Sequence, residues 1–82
     1  MELIAARPLA DRAVTFELAT RVGPEAAARV GAAQARLAAM LEAGELPGAQ
    51  ELSRAFCSIT LHYDPLEGRQ ADLVDRVRAA LE

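Results

Sequence analysis

The strongest pattern in the sequence is an amphipathic helix that begins at Pro24 and ends near Ala43. Proline suits the first helical turn, where its missing N–H has no partner to lose. Gly44 can close the helix in a left-handed conformation at little cost. Apolar residues recur at helical spacing on one face: Ala26, Val30, Ala33, Leu37, Met40 and Leu41. A helix with one apolar face must pack against a second layer, so the chain is predicted to fold in layers.

Two segments alternate between apolar and other residues, which is typical of half-buried strands. They run from Arg12 to Leu18 and from Phe56 to Tyr63. One side of these strands is predicted to face the helices, and it includes Val14, Phe16, Leu18, Cys57, Ile59, Leu61 and Tyr63. The other side presents Ala13, Thr15, Glu17, Ser58, Thr60 and His62. On this alternation Cys57 is a small buried apolar residue and not a nucleophile.

Weaker signals predict the remaining elements. A strand from Glu2 to Arg7 stops at Pro8, and a poorly apolar strand from Ala49 to Arg54 is expected at a sheet edge. A closing helix runs from Arg69 to Leu81. The order β-β-α-β-β-α with short connections predicts an α+β fold, a two-layer sandwich in which two helices cover one face of a four-stranded antiparallel sheet.

Composition excludes several classes of protein. The chain has 82 residues, a net charge of −3 and no basic run, so a single domain that does not bind nucleic acid is expected. It has no apolar run long enough to span a membrane and no signal peptide, which predicts a cytoplasmic protein. Much of its apolar content is alanine, so the core is thin and a deep catalytic pocket of its own is not expected.

Candidate chemistry is sparse. His62 is the single histidine and Cys57 the single cysteine, and they lie on opposite sides of their strand. Three or four converging ligands are needed for a zinc site, and this spacing does not provide them. Asp11 and Arg12 are interpreted as turn residues. The sequence therefore predicts no catalytic, cofactor-binding or metal-binding residue, and no cofactor.

The polar sheet side allows two interpretations. It is either a solvated face, which antiparallel sheets commonly have, or a contact face for another sheet or domain. The residues of the candidate partner-contact face are Thr15, Glu17, Ser58, Thr60 and His62.

The stretch from Leu46 to Pro65 carries a family resemblance. Pro47-Gly48 leads into two strands, the second of which contains Ser58 and closes on Tyr63, Asp64 and Pro65. Together with the earlier turn Asp11-Arg12-Ala13, this order resembles the N-terminal domain of the family that includes the B-type subunit of 5-oxoprolinase, allophanate hydrolase subunit 1 and the sporulation-kinase inhibitor. Ala10 stands where that family has a turn glycine.

The resemblance implies the same β-β-α-β-β-α fold over nearly the whole chain. It also implies that residues 1–82 are a single N-terminal-type domain without the cyclophilin-like C-terminal domain that is usual in the family. The family's ligand-handling cleft lies in that second domain. No catalytic residue is therefore transferred to this chain, although the family context is ATP-dependent amide hydrolysis or carboxyl transfer.

Three functions follow as hypotheses. In the first, the domain is an assembly module that binds the partner subunit of a hydrolase or carboxyltransferase complex acting on a small amide such as 5-oxoproline. In the second, it is a regulatory protein that binds and inhibits a sensor histidine kinase. In the third, it is a structural module that forms a homo-oligomer through its sheet.

Overall fold

The computed structural model describes residues 3–82, and the elements follow the predicted order. The strands are β1 (Ala5–Pro8), β2 (Ala13–Glu17), β3 (Ala49–Arg54) and β4 (Ser58–Tyr63), and the helices are α1 (Pro24–Glu42) and α2 (Gln70–Leu81). The strands form one antiparallel sheet in the order β1-β2-β4-β3. The predicted α+β sandwich is confirmed.

The core lies between one sheet face and the two helices. Phe16 at the centre of β2 is 0 % exposed, and Tyr63 at the end of β4 is 3 % exposed. The predicted apolar side of the central strands is buried, as are the stripes of the helices: Val14, Leu18, Ile59 and Leu61 from the strands and their ends, with Val30, Leu37, Leu73, Val77 and Leu81 from the helices. Period-two and period-3.6 patterns therefore placed these elements correctly.

The first strand differs from its predicted bounds. It begins at Ala5 and includes Pro8, whereas Glu2 lies outside the described residues. The N–H of Leu9 donates to the carbonyl of Ala13 at 2.9 Å. Antiparallel bonding alternates from residue to residue, so the nitrogen of Pro8 points away from β2 and its missing N–H breaks no ladder bond.

The last strand starts at Ser58 and not at Phe56 as predicted. The N–H of Ala55 donates to the carbonyl of Ser58 at 2.9 Å, which closes a hairpin with Phe56 and Cys57 as its two loop residues. Cys57 is consequently half-buried instead of buried in the core. Its carbonyl accepts hydrogen bonds from Leu18 and Ala19, so this residue contributes backbone contacts between β4 and the end of β2.

The strand β3 is an edge strand, as predicted from its poor apolar content. Its pairing with β4 contains a bulge, because Ala49 faces Tyr63 while the next paired residue, Glu51, faces His62. The extra residue lets Ala49 and Leu52 both pack against the core although they are three positions apart.

Two turns depend on left-handed backbone. The helix α1 ends in a Schellman motif, with Gly44 at φ 76°, the Glu45 N–H bonded to Met40 and the Gly44 N–H bonded to Leu41. In the turn between β1 and β2, Ala10 has φ 59°. Alanine is strained in this left-handed conformation, whereas glycine adopts it without a steric cost.

Candidate interaction face

The side of the sheet away from the helices is the candidate site, and it is called the open face below. The register places its residues in cross-strand rows: Arg7 with Thr15, Thr15 with Thr60, Thr60 with Ser53, and Glu17 with Ser58. The five residues of the predicted partner-contact face, Thr15, Glu17, Ser58, Thr60 and His62, all lie on it and are all half-buried. The sequence pattern thus identified one continuous surface, to which the structure adds Arg7, Glu51 and Ser53.

Side chains on the open face are paired with one another. The hydroxyl oxygens of Thr15 and Thr60 lie 2.8 Å apart at its centre. Toward β3, the Ser53 hydroxyl lies 2.9 Å from Nε2 of His62. At the β1 edge the guanidinium of Arg7 forms an ion pair with Glu17. The face is therefore polar, and cross-strand pairs hold its side chains in a fixed arrangement.

The open face holds little chemistry beyond hydrogen bonding. Within residues 3–82, no three His, Cys, Asp or Glu side chains come close enough together to hold a metal ion. His62 has Ser53 as its hydrogen-bond partner, and the half-buried Cys57 lies in the hairpin loop. Such an arrangement is suited to contacting another macromolecule through hydroxyl, imidazole and carboxylate groups.

The two motifs of the family resemblance meet at one end of the sheet. The N–H of Tyr63 donates to the carbonyl of Arg12 at 2.8 Å. The side-chain amide of Gln70 donates to the Tyr63 hydroxyl at 3.0 Å and to the Ala13 carbonyl at 3.4 Å. Both motifs thus join β2, β4 and the start of α2. Sequence reasoning missed Gln70, because nothing in a single sequence marks a glutamine at a helix start as the link between two strands.

Asp64 anchors the loops at that same end. Its N–H donates to the carbonyl of Gly48 at 2.9 Å, and its carboxylate accepts the N–H of Leu66 at 2.9 Å. Its carbonyl accepts the N–H groups of Glu67 and Gly68. The Asp-Pro pair therefore closes an Asx turn and ties two loops together.

The two loops touch through their glycines. A Cβ added to Gly48 would lie 2.6 Å from the nitrogen of Gly68, and one added to Gly68 would clash with the carbonyl oxygen of Pro47. Only glycine permits this approach of backbone to backbone. The role of Pro47-Gly48 in the motif is accordingly structural.

A cleft of about 310 Å³ lies at the opposite end of the sheet, beside the start of α1. It is lined by the segment from Ala19 to Ala26 together with Ile4 and Arg29. One guanidinium nitrogen of Arg29 donates to the carbonyl of Leu18 at 3.1 Å, which ties the helix to the end of β2. Sequence patterns contain no signal for this cleft, because it arises from the path of an irregular loop.

Comparison with known proteins identifies the family. Residues 4–82 match the family model described as carboxyltransferase domain, subdomain C and D. The chain belongs to this family. Its membership makes it a carboxyltransferase-type domain, which is a part of a complex with several subunits. No curated protein and no solved structure gives a significant match.

Neither helix has the character of a membrane segment. Within residues 3–82, neither α1 nor α2 combines the length and the apolar run that crossing a bilayer requires.

Proposed function

We propose that this chain is the assembly domain of a protein like the B-type subunit of 5-oxoprolinase or like allophanate hydrolase subunit 1. In this function it supports a complex that acts on a small amide such as 5-oxoproline. The observation that carries the proposal is the family match over residues 4–82, together with the order of the Pro47-Gly48 and Tyr63-Asp64-Pro65 motifs.

The open face is the proposed contact surface for the partner subunit. Its centre, the Thr15–Thr60 pair, presents hydroxyl groups without a charge that would have to be desolvated. The charged side chains Arg7 and Glu17 lie toward the rim and neutralise each other. Low charge at the centre and polar groups at the rim are features of protein interfaces.

Co-purification tests the proposal. The tagged 82-residue chain and the partner subunit of the complex are expressed together, and co-elution is expected. Thr60→Lys places a charge at the centre of the open face and is expected to abolish co-elution. Ala35→Lys places the same charge on the exposed side of α1 and is the matched control, which is expected to leave binding intact.

The proposed substrate class is tested separately, by measuring hydrolysis of 5-oxoproline. The assembled complex is expected to hydrolyse 5-oxoproline with ATP, and Thr60→Lys is expected to reduce this activity in proportion to the lost assembly. If Thr60→Lys and Ala35→Lys weaken co-elution equally, the proposed role of the open face is contradicted. Absence of co-elution, combined with inhibition of a sensor histidine kinase by the same protein, would replace the assembly function with the regulatory one.

A further inference from the structure

The strand β3 leaves part of its backbone unpaired. It bonds to β4 on one side, and among residues 3–82 no strand lies on its other side. The bond from Ala55 N–H to Ser58 carbonyl fixes which residues of β3 point their backbone groups toward β4. Because these directions alternate along an antiparallel strand, the N–H and C=O groups of Leu52 and Arg54 point toward the free edge.

The two edges of the sheet differ in how they are protected. The strand β1 spans only Ala5–Pro8, and the nitrogen of Pro8 occupies a free-edge position without an N–H to offer. The strand β3 spans Ala49–Arg54 and contains no proline. Its terminal arginine does not extend freely, because one guanidinium nitrogen donates to Oε1 of Gln34 on α1 at 2.8 Å. The edge of β3 is therefore the one that can accept a further strand.

We propose that a second copy of this chain binds along β3 in antiparallel orientation, with the two-fold axis at Leu52. In this register Leu52, which is half-buried against the core, lies opposite Leu52 of the partner subunit. Ser53 lies opposite Glu51 of the partner subunit, so a hydroxyl donor faces a carboxylate acceptor twice across the axis. The sheets of the two copies become continuous, and the interface runs along the β3 edge, where it meets the rim of the open face at Glu51 and Ser53.

The charges along β3 select this register over its neighbours. Centring the axis on Glu51 would place two carboxylates opposite each other, and centring it on Arg54 would do the same with two guanidinium groups. A shift by a single residue would place Leu52 of the partner subunit on the polar side of the sheet. Centring on Leu52 avoids like charges and covers the most apolar side chain of the edge.

The helix beside β3 is compatible with a close second copy. Gln34 identifies the side of α1 that lies above the edge, because it bonds to Arg54. The other residues on that side are Ala27, Gly31, Ala38 and Leu41; none is charged, and Leu41 is half-buried against the core. The α1 helices of the two copies can therefore approach without repulsion between like charges.

The decisive experiment is a charge exchange at Ser53, with association measured by sedimentation equilibrium from micromolar to millimolar concentration. The wild-type mass is expected to rise from the monomer value of 8.7 kDa toward twice that value. Ser53→Arg places a cation opposite Glu51 of the partner subunit, and it is expected to tighten dimerisation about 3- to 10-fold. Ser53→Glu is expected to weaken it by a similar factor. Both variants lose the Ser53–His62 bond, so that loss cancels in the comparison.

The control introduces the same two charges, arginine and glutamate, at the exposed position Ala35 of α1. Ala35→Arg and Ala35→Glu are expected to change the dimer constant by less than either Ser53 variant. If the Ser53 variants do not fold, as judged by circular dichroism, Ala38→Glu and Ala39→Glu replace them. The first adds a charge beside the edge and is expected to weaken the dimer, whereas the second lies away from it and is not.

Three outcomes would overturn the proposal. A monomer at every concentration would exclude the dimer. Equal weakening by Ser53→Arg and Ser53→Glu would contradict the pairing of Ser53 with Glu51 of the partner subunit, and with it the axis at Leu52. A dimer that neither substitution affects would show that association uses another surface, such as the exposed Phe56.

Discussion

The two faces of the sheet are made by the same strands and have opposite properties. Phe16 is completely buried against the helices, whereas its neighbour Thr15 is half-buried on the open face and bonds to Thr60. The helix side consists of large apolar side chains, and the centre of the open face consists of small hydroxyl side chains that pair across strands. Residues adjacent in sequence therefore lie in different environments, a buried core on one side and a partly solvated polar surface on the other.

The largest expected effect tests the helix side. Phe16→Ala removes an aromatic ring from a closely packed core and is expected to lower the free energy of unfolding by about 3–5 kcal/mol. A domain of this size has a stability of about 5 kcal/mol, so much of the variant should be unfolded. Urea denaturation followed by circular dichroism measures the difference. The adjacent Thr15→Ala is the control, with an expected loss of about 1 kcal/mol; equal losses would contradict the division between the faces.

A smaller effect is expected in the turn that connects β1 to β2 and holds both faces in register. Ala10→Gly removes the strain of alanine at φ 59° and is expected to raise the free energy of unfolding by about 1 kcal/mol. Thermal denaturation should show a higher midpoint. Ala35→Gly in the exposed part of α1 is the matched substitution, and it is expected to be destabilising by about 1 kcal/mol. The same sign for both variants would mean that Ala10 carries no strain.

The smallest effect concerns the centre of the open face. Thr15→Val and Thr60→Val each remove a hydroxyl while keeping the branched shape, and a double-mutant cycle isolates their interaction. We expect a coupling energy of about 0.2–1 kcal/mol, because the bond lies on a partly solvated surface. The same cycle between Thr60 and Thr20, which lies in the loop after β2, is expected to give no coupling. Coupling at both pairs would indicate a general effect of losing hydroxyl groups.

Much of this fold could be predicted because its layers have a strong periodicity. The apolar stripe of α1 and the alternation in β2 directly encode which side is buried. The prediction that Cys57 is buried in the core was wrong because the sequence alternation extends to Phe56 and Cys57, whereas β4 begins only at Ser58. The hydrogen bond from the Ala55 N–H to the Ser58 carbonyl fixes where β4 begins, and this bond depends on the pairing of β3 with β4.

The candidate site could be predicted only as a list of side chains that share a face. Pairing of Ser53 with His62 depends on the register between β3 and β4, which the bulge shifts by a residue. Similarly, the link from Gln70 to Tyr63 depends on where α2 begins in space. Contacts between residues distant in sequence follow from the assembled fold, and no local pattern determines them.

The bulge in β3 has a consequence for comparing this chain with its relatives. Gln50 is the extra residue, and Ala49 keeps its place against Tyr63 because of it. A relative that lacks this residue can retain the same buried positions in its central strands, since only the beginning of an edge strand has to adjust. A correct alignment will then contain a one-residue gap inside a regular strand, where alignment methods penalise gaps most heavily. Insertions and deletions in this family should therefore be sought at the start of β3 as well as in its loops.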